Sequence, residues 1–489
     1  MSFQSLGFAL FFPAVSGIYF LLPAGKDNLI RNIWLLIAGY FFYMYGNPVY
    51  GAFLLYVSFV TYSLGLIFEK KGKNAFLTFF AVFITLIPLL ILKYSNFVIR
   101  NMNGILSRMG GSGISDLNLI LPVGISFYTF AALSYVLDVR KGKISAERNI
   151  VHYMLFVGFF PALLSGPIER AGHLLPQLKE KHEFDPDRVK NGFLLMLWGY
   201  FLKLVLSERI AVFVNKVFGE YEIYTGTFSI IAILLYSLQI YFDFLSYTCM
   251  ALGSGEIMGF DLLKNFERPY LATNIADFWR RWHISLTSFF RDYVYIPLGG
   301  NRKGTVRKYI NVMLVFALSG LWHGASWNFV FWGLINGAFQ VAGEILMPLR
   351  KAAAEIMKIR TGSFGHRLLK IACTFLLASF AWTFFRAESF ISAVKMLKNC
   401  LTFNPWVLFD GSMLKLGLTD IDMVIVMISL LIVLFVSILN EKGIVIRNRV
   451  DRQDLWFRWT FYITAILTVL ILGMYGPMYD PSEFIYFKF

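Results

Sequence analysis

The chain has 489 residues, of which 57% are hydrophobic and only 15% are charged. Soluble domains carry roughly 25% charged residues, so this composition excludes an ordinary soluble protein and indicates that lipid is the solvent. The formal net charge of +15 would also suit nucleic acid. However, the Lys and Arg residues form short clusters between apolar runs, which is the pattern of membrane proteins. We therefore expect membrane lipid, and no nucleic acid, as a partner.

About eleven apolar runs are long enough for a helix to cross a hydrocarbon core of roughly 30 Å. Two examples are 75–92 and 423–439. The runs are continuous and lack the short polar alternation of a membrane β-barrel. The sequence therefore predicts an all-α, polytopic integral membrane protein.

We expect one membrane domain over 1–489, with amino-terminal spans in 1–118, a central core in 119–340 and carboxy-terminal spans in 341–489. Pro, Gly and polar residues interrupt the apolar runs of the central core. Broken helices inside a membrane are tolerated only where protein or a water-filled cavity surrounds them. The core is therefore where we expect re-entrant elements and chemistry.

Clusters of Lys and Arg predict the orientation of the chain. Alternating the spans from the amino end brings Lys70–Lys73, Arg140–Arg148 and Arg350–Lys370 to the same side. The positive-inside rule makes that side cytoplasmic. We therefore expect a multi-pass protein of the cytoplasmic membrane with both termini outside.

The three cysteines, Cys249, Cys373 and Cys400, form no closely spaced pair. They indicate neither a disulfide framework nor a zinc site. We expect no metal centre in this chain.

Residues Asn274 to Tyr293 have the periodicity of one amphipathic helix lying at the membrane interface. Asn274 is placed to cap its amino end, with Asp277 three residues later. Trp282 is expected to anchor the helix at the level of the lipid headgroups. His283 is either a satisfied interfacial residue or a functional one, and the local pattern leaves both open.

A cluster of cations surrounds this segment, and it permits two interpretations. The cations attract anionic lipid headgroups, or they bind the phosphates of coenzyme A, since guanidinium groups bind phosphate with two parallel hydrogen bonds. The cluster comprises Arg280, Arg281, Arg291, Arg302, Lys303, Arg307 and Lys308.

His323 follows an apolar run and lies in SGLWHGASWNFVFWG, a segment rich in Gly and Trp. Ionisable residues at membrane depth are costly and are functional candidates by default. A desolvated, neutral imidazole can accept a proton, as a general base acting on a hydroxyl must. We expect Gly320, Gly324 and Gly333 to let the backbone approach a ligand, and Trp322, Trp327 and Trp332 to exclude water. The alternative is a histidine that only packs two helices.

Polar residues interrupt two further apolar runs. Gln239, Asp243 and Tyr247 are spaced by four and predict a polar seam on one helix, for which interhelical hydrogen bonding is the simplest role. Glu169 and Arg170 follow Ser-Gly-Pro at an apparent re-entrant turn, where a mutual ion pair and a substrate contact are both possible.

Taken together, these segments resemble the MBOAT family of membrane-bound O-acyltransferases, and within it the branch similar to alginate O-acetyltransferase. The resemblance extends in order over more than half of the chain, and a late segment, FFRAESFISAVKML, also fits that branch. The matching blocks are LPVGISFYTF (121–130), SGPIER (165–170), LQIYFDF (238–244), NFERPY through RDYVYIPLGGNR (265–302) and LWHGASWNFVFWG (321–333).

The resemblance implies that His323 is the catalytic histidine and that His283 is a second functional position. It implies an MBOAT fold with re-entrant and interfacial helices around a central funnel, and acetyl-CoA as an acyl-donor substrate. No permanently bound cofactor is expected. It further implies a relay in which an extracytoplasmic partner of the SGNH type places acetyl groups on a cell-surface or cell-wall polysaccharide.

On this hypothesis the remaining site residues fall into two sets. The residues expected to bind the donor are Arg280, Arg281, Trp282, Arg291 and Arg302. The residues expected to line the substrate path are Trp322, Asn328, Gln239, Asp243, Glu169 and Arg170.

The sequence departs from the branch at two places. The stretch Phe244–Met250 lacks an acidic residue that the branch commonly has, and Asn336 stands where a second His-Gly pair is often found. A different class of function also fits a polytopic chain with broken helices, namely a transporter or channel-like scaffold for an acylated carrier. His323 in its Trp- and Gly-rich setting favours the enzyme, because a pore does not need such a residue.

Overall fold

A computed structural model describes residues 1–475 and 485 of the chain, and within these residues the regular structure is helical, with no strand. The predicted all-α class is therefore confirmed. The expectation that the carboxyl terminus faces outward concerns residues outside the described ones.

The chain packs into two units. The first comprises residues 1–196 and 247–264, and the second comprises 197–246 and 265–489. Two helices, α10 (Pro186–Tyr200) and α12 (Thr227–Ile257), pass from one unit to the other. The predicted single domain with its three subdivisions stays a prediction.

Unit 1 contains nine complete α-helices in its described residues. A π-helical segment, Leu90–Tyr94, joins the fourth to the fifth. The nine are α1 (Leu6–Leu21), α2 (Leu29–Met44), α3 (Val49–Lys71), α4 (Ala75–Leu89), α5 (Ser95–Arg108), α6 (Ile125–Lys141), α7 (Ile150–Gly158), α8 (Phe160–Leu163) and α9 (Ala171–Lys179).

Unit 2 contains the remaining helices, together with π-helical segments at Phe201–Ser207 and Arg291–Tyr295. Its α-helices are α11 (Glu208–Gly219), α13 (Ile275–Arg281), α14 (Ile284–Phe290), α15 (Thr305–His323), α16 (Trp327–Ile345), α17 (Met347–Ile356), α18 (Phe364–Arg386), α19 (Phe390–Asn399), α20 (Asp420–Glu441), α21 (Ile446–Val450) and α22 (Leu455–Leu472).

Seven helical stretches among the described residues are long and apolar enough to cross a membrane, or eight when the bent pair α16 and α17 counts as one span. The chain is thus a multi-pass membrane protein, but the predicted number of eleven spans is not confirmed. Several apolar runs form short or interrupted helices instead. One is broken near Gly158, where α7 ends.

The segment Asn274–Tyr293 is not the single helix that its periodicity predicts. Asn274 does cap α13, accepting a hydrogen bond from the backbone N–H of Asp277 at 2.8 Å. The helix then breaks at His283, whose φ of 45° lies in the left-handed region, and α14 begins at the next residue. Since the left-handed region cannot continue a right-handed helix, the hydrophobic face is divided between two short helices.

Two glycines allow α15 and α16 to pack closely as an antiparallel pair. A Cβ added at Gly320 would overlap the carbonyl oxygen of Phe329, and one at Gly333 would overlap that of Phe316. Small residues let helix backbones approach in this way inside membranes. The prediction that these glycines serve ligand approach is therefore wrong, because their open side is filled by the facing helix. At Gly324 an added Cβ would overlap the Phe329 ring.

The predicted polar seam on α12 faces the protein interior. Gln239, Asp243 and Tyr247 are all buried. Asp243 accepts a hydrogen bond from the Lys203 ammonium group at 2.7 Å, and the same ammonium group lies 2.7 Å from Glu208. We call Lys203, Asp243 and Glu208 the charged triad. It joins α12 to the π-helical segment Phe201–Ser207, so the expected interhelical hydrogen bonding is found.

Candidate active site

His323 is the last residue of α15 and is 3% exposed. The tight approach of α15 to α16 fixes its position, and Asn328 near the start of α16 donates a hydrogen bond to the carbonyl oxygen of Ala387 at 3.0 Å. Because Ala387 directly follows α18, this bond ties the turn after His323 to the end of a third helix. His323 is therefore held where the ends of three helices meet.

Aromatic rings surround the imidazole of His323. The ring centroids of Trp322, Trp332 and Phe385 lie 4.8, 5.0 and 5.4 Å from that of His323. These rings remove bulk water from the histidine and lower the local dielectric, which strengthens any hydrogen bond formed there. The expected water exclusion by Trp322 and Trp332 fits this arrangement. Trp327 is different, because it is 64% exposed, so its predicted place in the wall is wrong.

His283 lies in the same cluster. Its ring centroid is 6.5 Å from that of His323, 6.0 Å from that of Trp322 and 4.8 Å from that of Phe244 on α12. The left-handed backbone at His283 turns the chain between two short helices. For a non-glycine residue this conformation is uncommon, and such strain is concentrated at functional sites. The separation of the two imidazoles brings both within reach of one small substrate group.

Asn265 holds the strained turn at His283 in place. Its carbonyl oxygen accepts the backbone N–H of Ile284 at 2.9 Å, and its side-chain oxygen accepts the Ser285 hydroxyl at 2.6 Å. Two residues on, the backbone N–H of Glu267 donates to the carbonyl oxygen of Arg281 at 2.9 Å. These bonds fix the backbone on both sides of His283, so the turn is preorganised.

Burial sets the charge of His283, which lies outside the candidate membrane spans. Desolvation by burial lowers the pKa of His283 from its ordinary 6.5 to about 3. The imidazole is therefore neutral near pH 7, with one nitrogen able to donate a hydrogen bond and the other able to accept one. A neutral imidazole can hold or orient a reacting group without placing a net charge in an apolar cluster.

The model of the membrane-bound O-acyltransferase family (MBOAT) matches residues 91–385 of the chain, a range that contains both histidines. The chain belongs to the MBOAT family. The family resemblance of the sequence is therefore confirmed, and O-acyltransferase is the class of enzyme to which the chain belongs.

Several known proteins are similar to this chain over more than half of its length. It is 32% identical to the probable alginate O-acetylase AlgI of Pseudomonas putida over 501 aligned residues, which cover 98% of each chain. It is 34% identical to the peptidoglycan O-acetyltransferase of Helicobacter pylori, over 79% of this chain and 77% of that one. A more distant relative is the teichoic acid D-alanyltransferase of Bacillus subtilis. The two chains are 28% identical over a region that covers 56% of this chain and 70% of that one.

Within the MBOAT fold of this chain, the two histidines expected to be functional lie in one buried cluster. Sequence spacing alone did not require this, because 39 residues separate them and the helix that was to carry His283 is broken. The burial of both histidines and the short distance between them make this cluster the candidate active site. The roles of its members in catalysis stay predictions.

Trp282 is fully buried, next to His283 in the chain. Its ring centroid lies 4.9 Å from that of Trp382 on α18 and 5.4 Å from that of Phe278. The expected anchoring at headgroup level is wrong, because the indole packs inside unit 2. Its predicted contact with the acyl donor stays a prediction.

The four arginines expected to bind the donor differ in how much of their charge is already engaged. Arg281 lies 3.2 Å from Asp277 and 3.0 Å from Glu441. By contrast, the side chain of Arg280 is 73% exposed and only 3.7 Å from Asp277 at its nearest. Arg291 is exposed beside Asp292, and Arg302 is exposed.

Glu441, at the end of α20, organises this basic region. Its carboxylate also lies 2.7 Å from Arg268 and 3.5 Å from Arg367, in addition to Arg281. The three arginines come from a loop, from α13 and from α18. Arg281 thus helps to join three helices. Arg280, Arg291 and Arg302 are the more exposed of the four, although the guanidinium group of Arg291 already donates to Asp292 at 2.9 Å.

The remaining predicted path residues occupy both units. Asn328, Gln239 and Asp243 belong to unit 2, together with the histidines. Glu169 and Arg170 belong to unit 1, where Glu169 accepts the backbone N–H of Leu263 at 2.7 Å and contacts His173 at 2.9 Å. Glu169 therefore fixes a loop, and this position favours a structural role over direct substrate contact.

The sequence did not single out four residues that build the site: Asn265, Trp382, Phe385 and Glu441. Asn265 and Phe385 lie within blocks that match the family, but nothing local distinguishes them from their neighbours. Glu441 is 160 residues from Arg281. A sequence offers no local signal for a partner at that distance.

Proposed function

We propose that this protein transfers an acetyl or similarly small acyl group from acetyl-CoA, across the cytoplasmic membrane, for the O-acetylation of an extracellular or cell-wall polysaccharide. The buried pair of His283 and His323, 6.5 Å apart in an MBOAT chain, carries the proposal. The names of the relatives support a polysaccharide acceptor, since alginate, peptidoglycan and teichoic acid are all polymers of the cell surface.

His323 acts as the general base. Its imidazole accepts the proton of the attacking hydroxyl while the hydroxyl oxygen forms a bond to the thioester carbonyl carbon. The carbon–sulfur bond then breaks, and the proton passes to the departing thiolate. General-base catalysis of this kind contributes about 10²–10⁴ in rate. Burial of His323 among aromatic rings supports this role, because it keeps water from competing with the acceptor.

His283 supports the reaction as a neutral donor. With its pKa lowered to about 3 by burial, it carries an N–H at neutral pH that can donate to the carbonyl oxygen on which negative charge develops. A preorganised donor of this type is typically worth about 10²–10³ in kcat. The bonds from Asn265 that fix the turn at His283 supply the preorganisation.

The positions of the cations support an acyl donor that enters from the cytoplasm. Arg302, Lys303 and Arg307 lie just before or at the start of α15, and His323 is at its other end. By the positive-inside rule the basic end is cytoplasmic. The donor phosphates would bind Arg280, Arg291 and Arg302, and His323 would face the outer side. Independently, alternating the spans from the amino end under the same rule would put the amino terminus outside.

The proposed orientation, with His323 towards the outer side, would suit a relay. The attacking hydroxyl would belong to an extracytoplasmic partner of the SGNH type, which would carry the acyl group as an ester. A hydroxyl of the polysaccharide would then attack that ester, take the acyl group and release the partner's hydroxyl. The family resemblance of the sequence is the support for this partner.

Coenzyme A release tests the proposal. Purified protein in lipid nanodiscs is given acetyl-CoA with and without polysaccharide acceptors and the partner. We expect release by the wild type and a loss of about 10²–10⁴ in His323→Ala. His366→Ala, which removes a histidine at the start of α18, is the matched control and should retain activity.

The same experiment addresses the alternative function. A transporter-like scaffold would release no coenzyme A with any acceptor or partner. A cooperative thermal unfolding transition in the same nanodiscs would show that the protein is nevertheless folded. That outcome would move the assignment to transport of an acylated carrier.

A further inference from the structure

The helix α17 in unit 2 connects two membrane spans and is not covered by any described part of the chain. It meets α16 at a bend of 50° and leads through a short loop to the span α18. None of its ten residues is buried. The side chains of Leu349 and Ile356 are 67% and 81% exposed, and an apolar surface of this kind marks a place of contact. We call residues 346–363 the α17 segment.

The α17 segment lies outside the hydrocarbon core of the membrane. The preceding helix α16 has 19 residues. At 1.5 Å per residue its length is about 28 Å, which matches a core of roughly 30 Å without help from α17. The last turn of α16 holds Glu344, which pairs with Lys308. The helix α17 itself carries Arg350, Lys351 and Glu355. Because charged groups are costly inside the core, the span ends at the bend, and α17 begins at the surface of the bilayer.

The side chains of α17 separate into an apolar face and a polar face. At 100° per residue, Leu349, Ala353 and Ile356 fall along one side of the helix. Lys351 and Glu355 fall on the other side. An amphipathic helix at the membrane surface lies in the plane of the interface, with its apolar face among the acyl chains and its polar face towards water.

The α17 segment and the start of α18 are strongly basic. Residues 346–370 contain six Lys and Arg residues but only one carboxylate, that of Glu355. Four of these cations are exposed and form no ion pair within the described part of the chain: Lys351, Lys358, Arg360 and Lys370. Lysine and arginine clusters next to a membrane span are attracted to anionic headgroups.

Hydrogen bonds define both ends of α17. At its start, the Arg350 guanidinium group donates to the carbonyl oxygen of Gly343 across the bend. At its end, Lys358 has a φ of 52°, and the N–H of Ile359 donates to the carbonyl oxygen of Ala354 at 2.8 Å. This is the hydrogen-bonding pattern that closes a helix with a left-handed residue. The apolar face and the cations are therefore held in a fixed relation to each other.

We propose that the α17 segment binds anionic phospholipid of the leaflet beside it. Leu349 and Ile356 insert among the acyl chains. Lys351, Lys358 and Arg360 bind the headgroup phosphates. The position of the helix between two spans favours lipid over a partner protein, because the bend places the apolar face at the bilayer surface. That this leaflet is the cytoplasmic one rests on the orientation in the proposed function, whereas the contact with lipid does not.

A nitroxide label tests the insertion of the apolar face. It is attached to Ile356→Cys, or to Glu355→Cys as the control on the other face, in full-length protein whose three native cysteines are replaced by alanine. Collisions with oxygen, which enriches in lipid, and with a water-soluble nickel chelate are measured in nanodiscs containing phosphatidylglycerol. We expect the ratio of oxygen to nickel collisions to be at least threefold higher at position 356 than at 355. Leu349→Cys should behave like Ile356→Cys. Equal ratios on the two faces would overturn the proposal.

A second experiment tests the cations. Binding of fluorescent phosphatidylglycerol and phosphatidylcholine to the detergent-solubilised protein is compared between two triple variants. One variant changes three cations of the α17 segment to glutamine, namely Lys351, Lys358 and Arg360. The other removes the same charge at three exposed lysines at or just after the end of α3, namely Lys70, Lys71 and Lys73.

We expect the wild type to bind phosphatidylglycerol at least fivefold more tightly than phosphatidylcholine. The triple variant of the α17 segment should lose this preference, and the control variant should change it less than twofold. Glycerol phosphate should not compete. Equal effects of the two variants, or displacement of the lipid by glycerol phosphate, would contradict a lipid site at α17.

Further outcomes separate the lipid contact from the proposed chemistry. His323→Ala should keep both lipid contacts, so lipid binding without coenzyme A release by the wild type would defeat the proposed function alone. Coenzyme A release by a protein whose label at position 356 is open to nickel would defeat the lipid proposal alone. If that label left water only when a soluble protein was added, the occupant would be a protein and the lipid proposal would be wrong.

Discussion

Unit 2 buries two polar clusters, the charged triad and the cluster of His283 and His323. The two differ in how they offset the cost of placing polar groups in an apolar interior. The charged triad pairs its charged groups by direct contact, with the single ammonium group of Lys203 lying 2.7 Å from each of two carboxylates. The histidine cluster avoids charge, since His283 is held neutral by burial among aromatic rings. Groups already paired with each other are poorly suited to bind a substrate. Neutral imidazoles packed against aromatic rings remain available to bind a substrate.

We therefore expect the charged triad to contribute mainly to stability and the histidine cluster mainly to chemistry. Removing one charge from a buried ionic group leaves the others uncompensated, which is costly to folding. Removing an imidazole from an aromatic cluster leaves no buried charge. Variants of the triad should therefore reduce stability first, and variants of the histidines should reduce activity first.

The largest expected effect on stability is at Lys203. Lys203→Met leaves Asp243 and Glu208 buried with no cation between them, so we expect a loss of about 3–5 kcal/mol in the free energy of unfolding. Thermal unfolding of the detergent-solubilised protein measures it.

A triple variant with Lys203→Met, Asp243→Asn and Glu208→Gln serves as the control, because it removes all three charges. It should recover part of the lost stability. If Lys203→Met were as stable as the wild type but inactive, the triad would belong to the reaction and the comparison would fail.

Stability should also depend on pH through His283. Because burial lowers the pKa of His283 from 6.5 to about 3, the unfolded chain binds a proton in this window that the native protein does not. The contribution of His283 to stability is therefore complete above pH 6.5 and is lost as the pH falls towards 3, with a slope of up to about 1.4 kcal/mol per pH unit.

His283→Gln should make the stability curve shallower between pH 4 and 6.5. Thermal unfolding as a function of pH measures the slope, and His366→Gln is the control. An unchanged slope in His283→Gln would show that the imidazole is not held neutral by burial.

A smaller effect is expected where α15 packs against α16. Gly320→Ala forces a methyl group into the Phe329 carbonyl oxygen, so we expect a loss of about 1–3 kcal/mol and reduced activity, because His323 ends the same helix. Gly343→Ala, on α16, is the control, because no atom lies within 4 Å of the added Cβ. It should be neutral or stabilising by up to about 1 kcal/mol. Melting temperatures and coenzyme A release distinguish the two variants.

The smallest effects are expected among the arginines. Arg281→Ala breaks contacts with Asp277 and Glu441 and should cost about 1 kcal/mol, since these groups are partly exposed. Arg280→Ala should leave stability within about 0.5 kcal/mol of the wild type but raise the KM for acetyl-CoA. A loss of stability in Arg280→Ala, together with a raised KM for acetyl-CoA in Arg281→Ala, would contradict these assignments.

The sequence predicted the class of fold, and it singled out the two histidines that the structure brings into one cluster, because both depend on local or nearly local patterns. Apolar runs define the spans Asp420–Glu441 and Phe364–Arg386 without knowledge of their neighbours. The family blocks around His283 and His323 identify both residues. The spacing of Gln239 and Asp243 correctly indicated a buried polar face.

What failed depends on tertiary packing. The break at His283 arises because Asn265 pairs with Ile284 and Ser285, and periodicity cannot show such a partner. Gly320 and Gly333 were assigned to a ligand because a sequence does not show that a second helix fills the space beside them. Trp282 and Trp327 were misjudged for a similar reason, since burial of an indole depends on what packs against it.

A double-mutant cycle on the histidine pair tests the central claim most directly. Acyl transfer from radiolabelled acetyl-CoA is measured in single turnover for the wild type, His323→Ala, His283→Gln and the double variant. Thermal unfolding first establishes that all four proteins are folded. If the two imidazoles act on one reacting group, the double variant should be barely slower than His323→Ala, because the effects of residues that act as a unit are not additive. Additive losses, or full activity in His323→Ala, would contradict a shared active site.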